Sequence, residues 1–511
     1  MGFVLDFNNQ EFESRYDLVN QRDHDSFITI KYYKQMKTIY TYLALVALIA
    51  TLYACKKELS ALPKNAKVDA NTILDQGTAQ IALNGAYYRF ANATAIKTGW
   101  QNHQIKPPMF AGYIGMYSSV LPEEENRNDR ATNSYWDESY MLLNAVNGVL
   151  KGVNSLSDTQ FTGNRKKEIM AEARFLRAYA HFKLLTFYGE WYKPESQLGA
   201  LLRDEISTLS YIPKKRSTVK ESYDFILADL DNVIANGPAA SPTHYATKWA
   251  GMALKMRVLM SRGSGTDYGT IVTLANTLIQ ESPYKLEPIA EDVFHKKGLS
   301  SQEVILGIKP QANQEKETYS TSAQYWPGAS SLYVARAPLK SLYANDPRQA
   351  WIIGSARPKA GYFFFTKYMK ENGVSSALSE TYYVLRLTEV YLLKAEAIVR
   401  SGGSLADAKA VVHEIQAKAG ITTASNNTSY LAVENAGTSA ALVMEIFKET
   451  VKSLIAEDGM EWMAMLRLPF DTVKQLKPTI ANQSQYILPV PKDEFLYNPI
   501  FGDQNPGYAK N

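Results

Sequence analysis

Glu168-Ile-Met-Ala-Glu-Ala-Arg-Phe-Leu-Arg-Ala-Tyr-Ala-His-Phe-Lys-Leu-Leu-Thr-Phe-Tyr-Gly-Glu190 is the stretch that decides the fold. Ala171, Phe175, Ala178, Phe182 and Leu185 recur at alternating steps of four and three, the spacing of one helical face. No Gly or Pro interrupts the run before Gly189, where the helix is expected to stop. Leu176, Tyr179 and Lys183 form an adjacent stripe, so neighbours are expected on two sides. Small Ala alternates with large Phe, which lets another helix pack closely. The spacing therefore predicts the core helix of an all-helical layer.

The same period appears on either side. Residues 71–92 carry Ile73, Leu74, Ile81, Leu83, Tyr87 and Tyr88 at helical spacing, with Asn71 or Asp75 as cap. Helices are expected at 135–153, 218–235, 243–261 and 268–281, separated by short Gly/Pro/Ser breaks. Further helices are expected at 381–401, closed by Gly402-Gly403, at 405–419, and at 440–466 with a break at Asp458-Gly459. Within 381–401, Arg386 and Glu389 stand three apart and are expected to pair. Helix pairs of this length with short turns follow a tetratricopeptide-like pattern, without a strict consensus repeat. The fold class is mainly α: an irregular superhelical scaffold of helix pairs with a few short strands. Strands are expected at 303–308 and 362–368, the latter rich in β-favouring aromatics. Residues 422–439 read as a surface loop, and Arg262-Gly-Ser-Gly-Thr-Asp267 reads as a turn rather than a phosphate loop. The tail, Tyr486-Ile-Leu-Pro-Val-Pro-Lys-Asp-Glu-Phe495 and beyond, is expected to be irregular because its prolines remove backbone donors.

Two long stretches lose all period. Residues 99–133 are broken by Pro107-Pro108, Gly112, Gly115 and Pro122, and carry Trp100, Phe110, Tyr113 and Tyr117. Residues 309–331 carry Tyr319, Tyr325, Trp326 and Pro327. Long aperiodic segments inside a domain are commonly functional. Aromatics interleaved with Asn, Gln and Arg suit a pyranose, which offers an apolar C–H face to a ring and hydroxyls to amides. Trp326 with Tyr325 is the expected main platform, with Trp100, Tyr117 and Tyr113 as candidates from the other segment. Glu123-Glu-Glu125 reads as a solvated acidic turn before a cation site.

The 511 residues contain a single cysteine, Cys55, so neither an intrachain disulfide nor a multi-cysteine metal site is available. Residues 39–52 form an apolar run of signal-peptide length, preceded by Lys31, Lys34 and Lys37. Leu52-Tyr-Ala-Cys55 matches a lipobox, which makes Cys55 the expected site of lipidation. Residues 36–54 are thus expected to be a lipoprotein signal peptide, 55–70 a lipidated tether, and 71–511 a single domain. Residues 1–35 push the apolar run unusually far from the first residue. Met36-Lys37 offers a conventional start, so 1–35 are read as a mis-assigned start.

A formal charge of +4, spread without a Lys/Arg block, gives no support for nucleic acid as a partner. The six histidines are scattered, and neither H-E-x-x-H nor G-x-S-x-G nor a Walker loop occurs. No cofactor or metal is implied, and the chain is read as a binding protein rather than an enzyme. The alternatives are an envelope glycan hydrolase on a helical frame and a non-glycan scaffold lipoprotein. A hydrolase needs two facing carboxylates, which sequence alone does not place.

Several of these words resemble one family. Glu172-Ala-Arg-Phe-Leu-Arg-Ala178 followed by Phe-Tyr-Gly189 resembles the signature helix of the SusD/RagB nutrient-binding lipoproteins. Ala82-Leu-Asn-Gly-Ala-Tyr87 resembles the family's first helix, and 383–396 a second signature. Leu488-Pro-Val-Pro491 and Gln504-Asn-Pro-Gly-Tyr508 resemble its closing motif, the most specific of these matches. The resemblance implies a lipid-anchored, mainly α protein of the outer membrane, facing the cell exterior, with helix pairs on one side and a loop-rich ligand face on the other. It also implies binding of an oligosaccharide or other nutrient, and capping of a SusC-type TonB-dependent transporter. Near residues 457–467 the family usually carries Arg before the Trp and Asp two residues after it. Here Glu461 and Ala464 stand in those places, so a structural ion pair is expected to be missing or rebuilt.

Overall fold

In the computed structural model the helical periods become α1 (Gln76–Phe90), α2 (Gln101–Phe110), α3 (Ser134–Asn154), α4 (Arg165–Tyr188), α5 (Val219–Asn236), α6 (Lys248–Arg262) and α7 (Asp267–Glu281). They continue as α8 (Leu387–Arg400), α9 (Leu405–Lys418), α10 (Ser439–Leu454) and α11 (Met460–Leu466). The structure describes residues 72–93, 98–130, 134–207, 213–310, 332–355, 363–368, 377–425 and 427–510. These fall within one compact unit, Thr72–Asn511. Among them, no helix is long and apolar enough to cross a membrane.

Each helix packs on the next in the chain from α3 to α7, and α8 packs on α7, α9 and α10. This succession of pairs makes the mainly α, tetratricopeptide-like scaffold that the spacing predicts. The central helix is α4. Ala171, Phe175, Ala178, Phe182 and Leu185 are all buried, and so are Leu176, Tyr179 and Lys183 of the adjacent stripe. One stripe alone would leave half the helix in water; with two, α4 is covered by α1, α3 and α5 together.

The charged groups inside this core pair with one another. A left-handed turn after α10, with Ala456, Asp458 and Gly459 all at positive φ, pushes the Asp458 carboxylate into the interior. It receives Tyr179 Oη at 2.8 Å, Lys183 Nζ at 2.7 Å and Arg257 Nη1 at 2.6 Å, from α4 and α6. Arg257 also makes a bidentate pair with Glu389, both bonds at 2.7 Å. Such pairs add stability only when every partner is present. Burial opposes ionisation of Asp458, but Lys183 and Arg257 outweigh it and hold its carboxyl below the usual range.

The strands make two sheets among the described residues. Strand β2 (Val304–Ile308) pairs antiparallel with β6 (Tyr382–Arg386). The other sheet has the order β1 (Ile114–Met116), β3 (Tyr333–Ala335), β5 (Phe363–Phe365), β4 (Ile353–Ser355).

Five expectations are corrected. Residues 382–386 are a strand and not the first turn of α8; Tyr382, Tyr383, Val384 and Leu385 are buried on both faces, as a covered strand requires. Arg386 therefore reaches Glu457 and Glu303, while Glu389 turns to Arg257, so the two do not pair with each other. The stretch 99–133 is not wholly loop, since α2 forms in spite of Pro107 and Pro108 and buries Ile105, Met109 and Phe110. Glu124 is buried and not solvated: it accepts from Met116 N and Leu121 N at 3.1 Å and from Arg336 Nε at 2.8 Å. Finally, residues 422–439 and the tail contain short helices, Thr428–Glu434 and Lys492–Tyr497. The second begins just after Pro491, where a missing N–H costs nothing.

The closing motif clamps the end of α4. Leu488 N donates to Phe187 O, and Asn505 Nδ2 donates to both Tyr188 O (2.9 Å) and Leu488 O (2.7 Å). Arg216 Nη2 reaches Asn505 Oδ1 at 2.8 Å. The last carbonyls of a helix lack partners of their own, and the tail supplies them. The pair expected near residue 461 is missing. Glu461 is fully buried with neither oxygen in hydrogen-bonding geometry, and Ala464 carries no charge.

Candidate functional site

The site is built from three short stretches. On α1, capped by the Asp75 carboxylate accepting from Thr78 N at 2.8 Å, Asn84, Tyr87 and Tyr88 stand at positions i, i+3 and i+4 and share a face. The turn before α6 presents His244 and Tyr245, held by Tyr245 N donating to Pro242 O and Ala246 N donating to Tyr87 Oη at 2.8 Å. The end of β2 contributes Gly307, Ile308, Lys309 and Pro310. Gly307 is required there, because a Cβ would lie 2.3 Å from Leu299 Cδ2 and 2.9 Å from Tyr382 O. Its N–H donates to Thr243 O at 2.8 Å and ties β2 to the His244 turn.

Between them lies an open cavity of about 490 Å³, walled by Tyr87, Tyr88, Phe90, Tyr245 and His244, with Asn84 and Lys309 at its polar margin. The Tyr245 ring stands edge-on to Tyr87 (centroids 4.8 Å apart), and the His244 ring lies 4.4 Å from that of Tyr245. Burial, and then the Glu172 carboxylate, push the Tyr87 hydroxyl well above its ordinary pKa, so it stays a proton donor to Glu172 Oε2 at 2.9 Å. Burial, and then the charge of Lys309, lower the His244 imidazole, which is therefore neutral at pH 7. A second groove of about 620 Å³ adjoins it, sharing Asn84 and Tyr245 and carrying Arg165, Glu168 and Glu172. Flat rings flanked by amides and hydroxyls hold a polar ring compound by stacking and edge hydrogen bonds.

Of the residues expected from sequence, Trp100 and Tyr113 are corrected. Trp100 is 0 % exposed, stacks on His103 at 4.4 Å and donates through Nε1 to Phe90 O at 2.7 Å. It props the cavity wall from behind and offers no face to a ligand. Tyr113 is buried beside β1, and its hydroxyl pKa is raised by that burial. Tyr117 remains half-buried at the end of β1, its N–H donating to Leu332 O at 2.9 Å. Tyr325, Trp326 and Cys55 lie outside the described residues. The stretch holding Tyr325 and Trp326 starts from the cavity margin at Pro310 and ends at Leu332 beside Tyr117. Sequence reading missed Tyr88, Asn84, His244 and Tyr245. Tyr88 was absorbed into the period of the first helix, and His244-Tyr245 into a helix expected from 243 that begins at Lys248 behind the Thr247 cap.

Comparison with known proteins places the chain. Residues 55–260 match the family described as "Starch-binding associating with outer membrane", and residues 353–467 match the SusD family. A SusD-like protein of Bacteroides ovatus is 22% identical over 284 residues, which cover 52% of this chain and only 49% of that relative's length. The crystal structure of a SusD superfamily protein from Bacteroides thetaiotaomicron superposes with a TM-score of 0.69 at 20% identity, covering 85% of this chain and 100% of the other. Surface glycan-binding protein A from Bacteroides fluxus superposes with a TM-score of 0.66 at 18% identity, covering 84% and 99%. With signature helix, closing clamp and helix-pair scaffold all in place, the chain belongs to the SusD/RagB family.

Proposed function

We propose that this protein is a surface lipoprotein that captures glycans and passes them to a TonB-dependent outer-membrane transporter of the SusC type. The observation that carries the reading is the cavity of Tyr88, Tyr245, His244 and Asn84, from whose margin the stretch bearing Tyr325 and Trp326 starts. A related fold belongs to a protein named for surface glycan binding, and the matched family is described as associating with the outer membrane. Lipidation at Cys55 would tether the protein there. Among the described residues the cavity wall carries neither Asp nor Glu, whereas a glycoside hydrolase needs two facing carboxylates.

Incubation of the full chain with a panel of plant and host polysaccharides tests the reading. Depletion of polysaccharide without new reducing ends is the expected result, and release of products would favour hydrolysis. Trp326 with Tyr325 is proposed as the main platform, with Tyr117 contributing. As a binding hot spot, Trp326→Ala is expected to lose about 2 kcal/mol of glycan affinity by calorimetry. Thermal stability should hardly change, and unchanged affinity would move the site elsewhere.

A further inference from the structure

Among the described residues, the cavity margin offers a cation and a free amide N–H₂ but no carboxylate. Asn84 Oδ1 is already taken, accepting from Gln80 Nε2 at 3.0 Å and Tyr245 Oη at 3.3 Å, which leaves its Nδ2 hydrogens over. The Tyr87 hydroxyl is saturated by Glu172 and by Ala246 N. The Ala91 carbonyl accepts from Gly99 N at 3.2 Å. Lys309 is exposed at the margin, and its ammonium has no carboxylate partner among the described residues. The nearest acid behind the wall, Glu172, is neutralised by Arg165 Nη1 at 2.9 Å. What remains among the described residues is one full positive charge and an amide N–H₂, beside the His244 imidazole and the Tyr88 and Tyr245 hydroxyls, whose oxygens also accept.

A neutral sugar can exchange hydrogen bonds with these hydroxyls and the imidazole, but it brings no counter-charge to Lys309. A carboxylate or sulfate only accepts, and a charge-assisted bond to ammonium is the stronger kind. Building on the glycan-capture reading above, we propose that the cavity takes an anionic saccharide. Its carboxylate or sulfate ester meets Lys309 and Asn84, and its C–H face lies on Tyr88 and Tyr245. Discrimination then comes from the charge at the margin, while the rings hold the sugar itself.

The test is calorimetry on the full chain with two matched pairs of probes: oligogalacturonate against its methyl ester, and a sulfated galactan oligosaccharide against its desulfated form. In at least one pair the anionic member is expected to bind about tenfold or more tighter. Which pair responds distinguishes carboxylate from sulfate. Lys309→Gln should abolish that preference, and Lys309→Arg should keep it. Neutral members binding as tightly as anionic ones would overturn the anion assignment and leave glycan capture standing. If no member of either pair binds, the capture reading and this assignment both fall.

Discussion

Glu461 is a fully buried acid with neither carboxyl oxygen in hydrogen-bonding geometry. Burial, the largest influence, pushes its carboxyl up to about 8, so it stays protonated at pH 7. In the unfolded chain it loses its proton near 4.5, the ordinary value. Between those two values the folded state binds the extra proton, so stability falls as pH rises, by about 1.4 kcal/mol per unit. Melting at pH 5 and pH 8 should show a larger drop for the wild type than for Glu461→Gln; an equal drop would place the titration elsewhere. Phe175 makes a simpler case. It is fully buried on the main stripe of α4, and Phe175→Ala should cost about 3–5 kcal/mol in denaturant unfolding. A loss below about 1 kcal/mol would mean that the site collapses around the missing ring.

Helix ends in this protein are set by particular side chains. At the start of α5, Thr218 accepts from Glu221 N at 3.0 Å and the Glu221 carboxylate accepts from Thr218 N at 2.8 Å, a reciprocal cap. Thr218→Ala is expected to cost about 1 kcal/mol. Thr218→Asn should restore most of it, and equal stability of the two variants would show the cap to be dispensable. Elements with a long, uninterrupted period were legible in the sequence: α3 to α7, α9 and α10 lie within a few residues of expectation, save the late start of α6. Residues 382–386 were not, because a short buried strand of Tyr, Val and Leu running straight into α8 offers no break. Pro107 and Pro108 likewise hid α2, since local preference counted against a helix that tertiary burial sustains.

At the scale of the molecule, the family and the scaffold could be read from α4 and the closing motif, whereas the site could only be read in part. Aromatic content marks both cores and ligand faces, and Trp100 shows the ambiguity: the same residue type in the same loop turned inward. Tyr88 and Tyr245 were invisible because their neighbourhood is made by α1, the turn before α6 and β2, more than 60 residues apart from one to the next. The proposed anchor would be a whole-molecule property too. More than one acyl chain is needed for stable membrane attachment, so Cys55→Ala should move the protein from the membrane to the soluble fraction with the fold intact. Fatty-acid label persisting in that variant would refute the assignment.

Asp458 also bears on the order in which the protein is made. Its bonds to Lys183 and Tyr179 span 275 and 279 residues of chain. While the ribosome is still extending the polypeptide, α4 and α6 hold buried cations whose counter-ion does not yet exist. A half-synthesised chain that closed its centre would bury these charges without the Asp458 partner, at a cost of about 3–5 kcal/mol. The full set of pairs around Asp458 can form only after the late turn at 456–459 has been made.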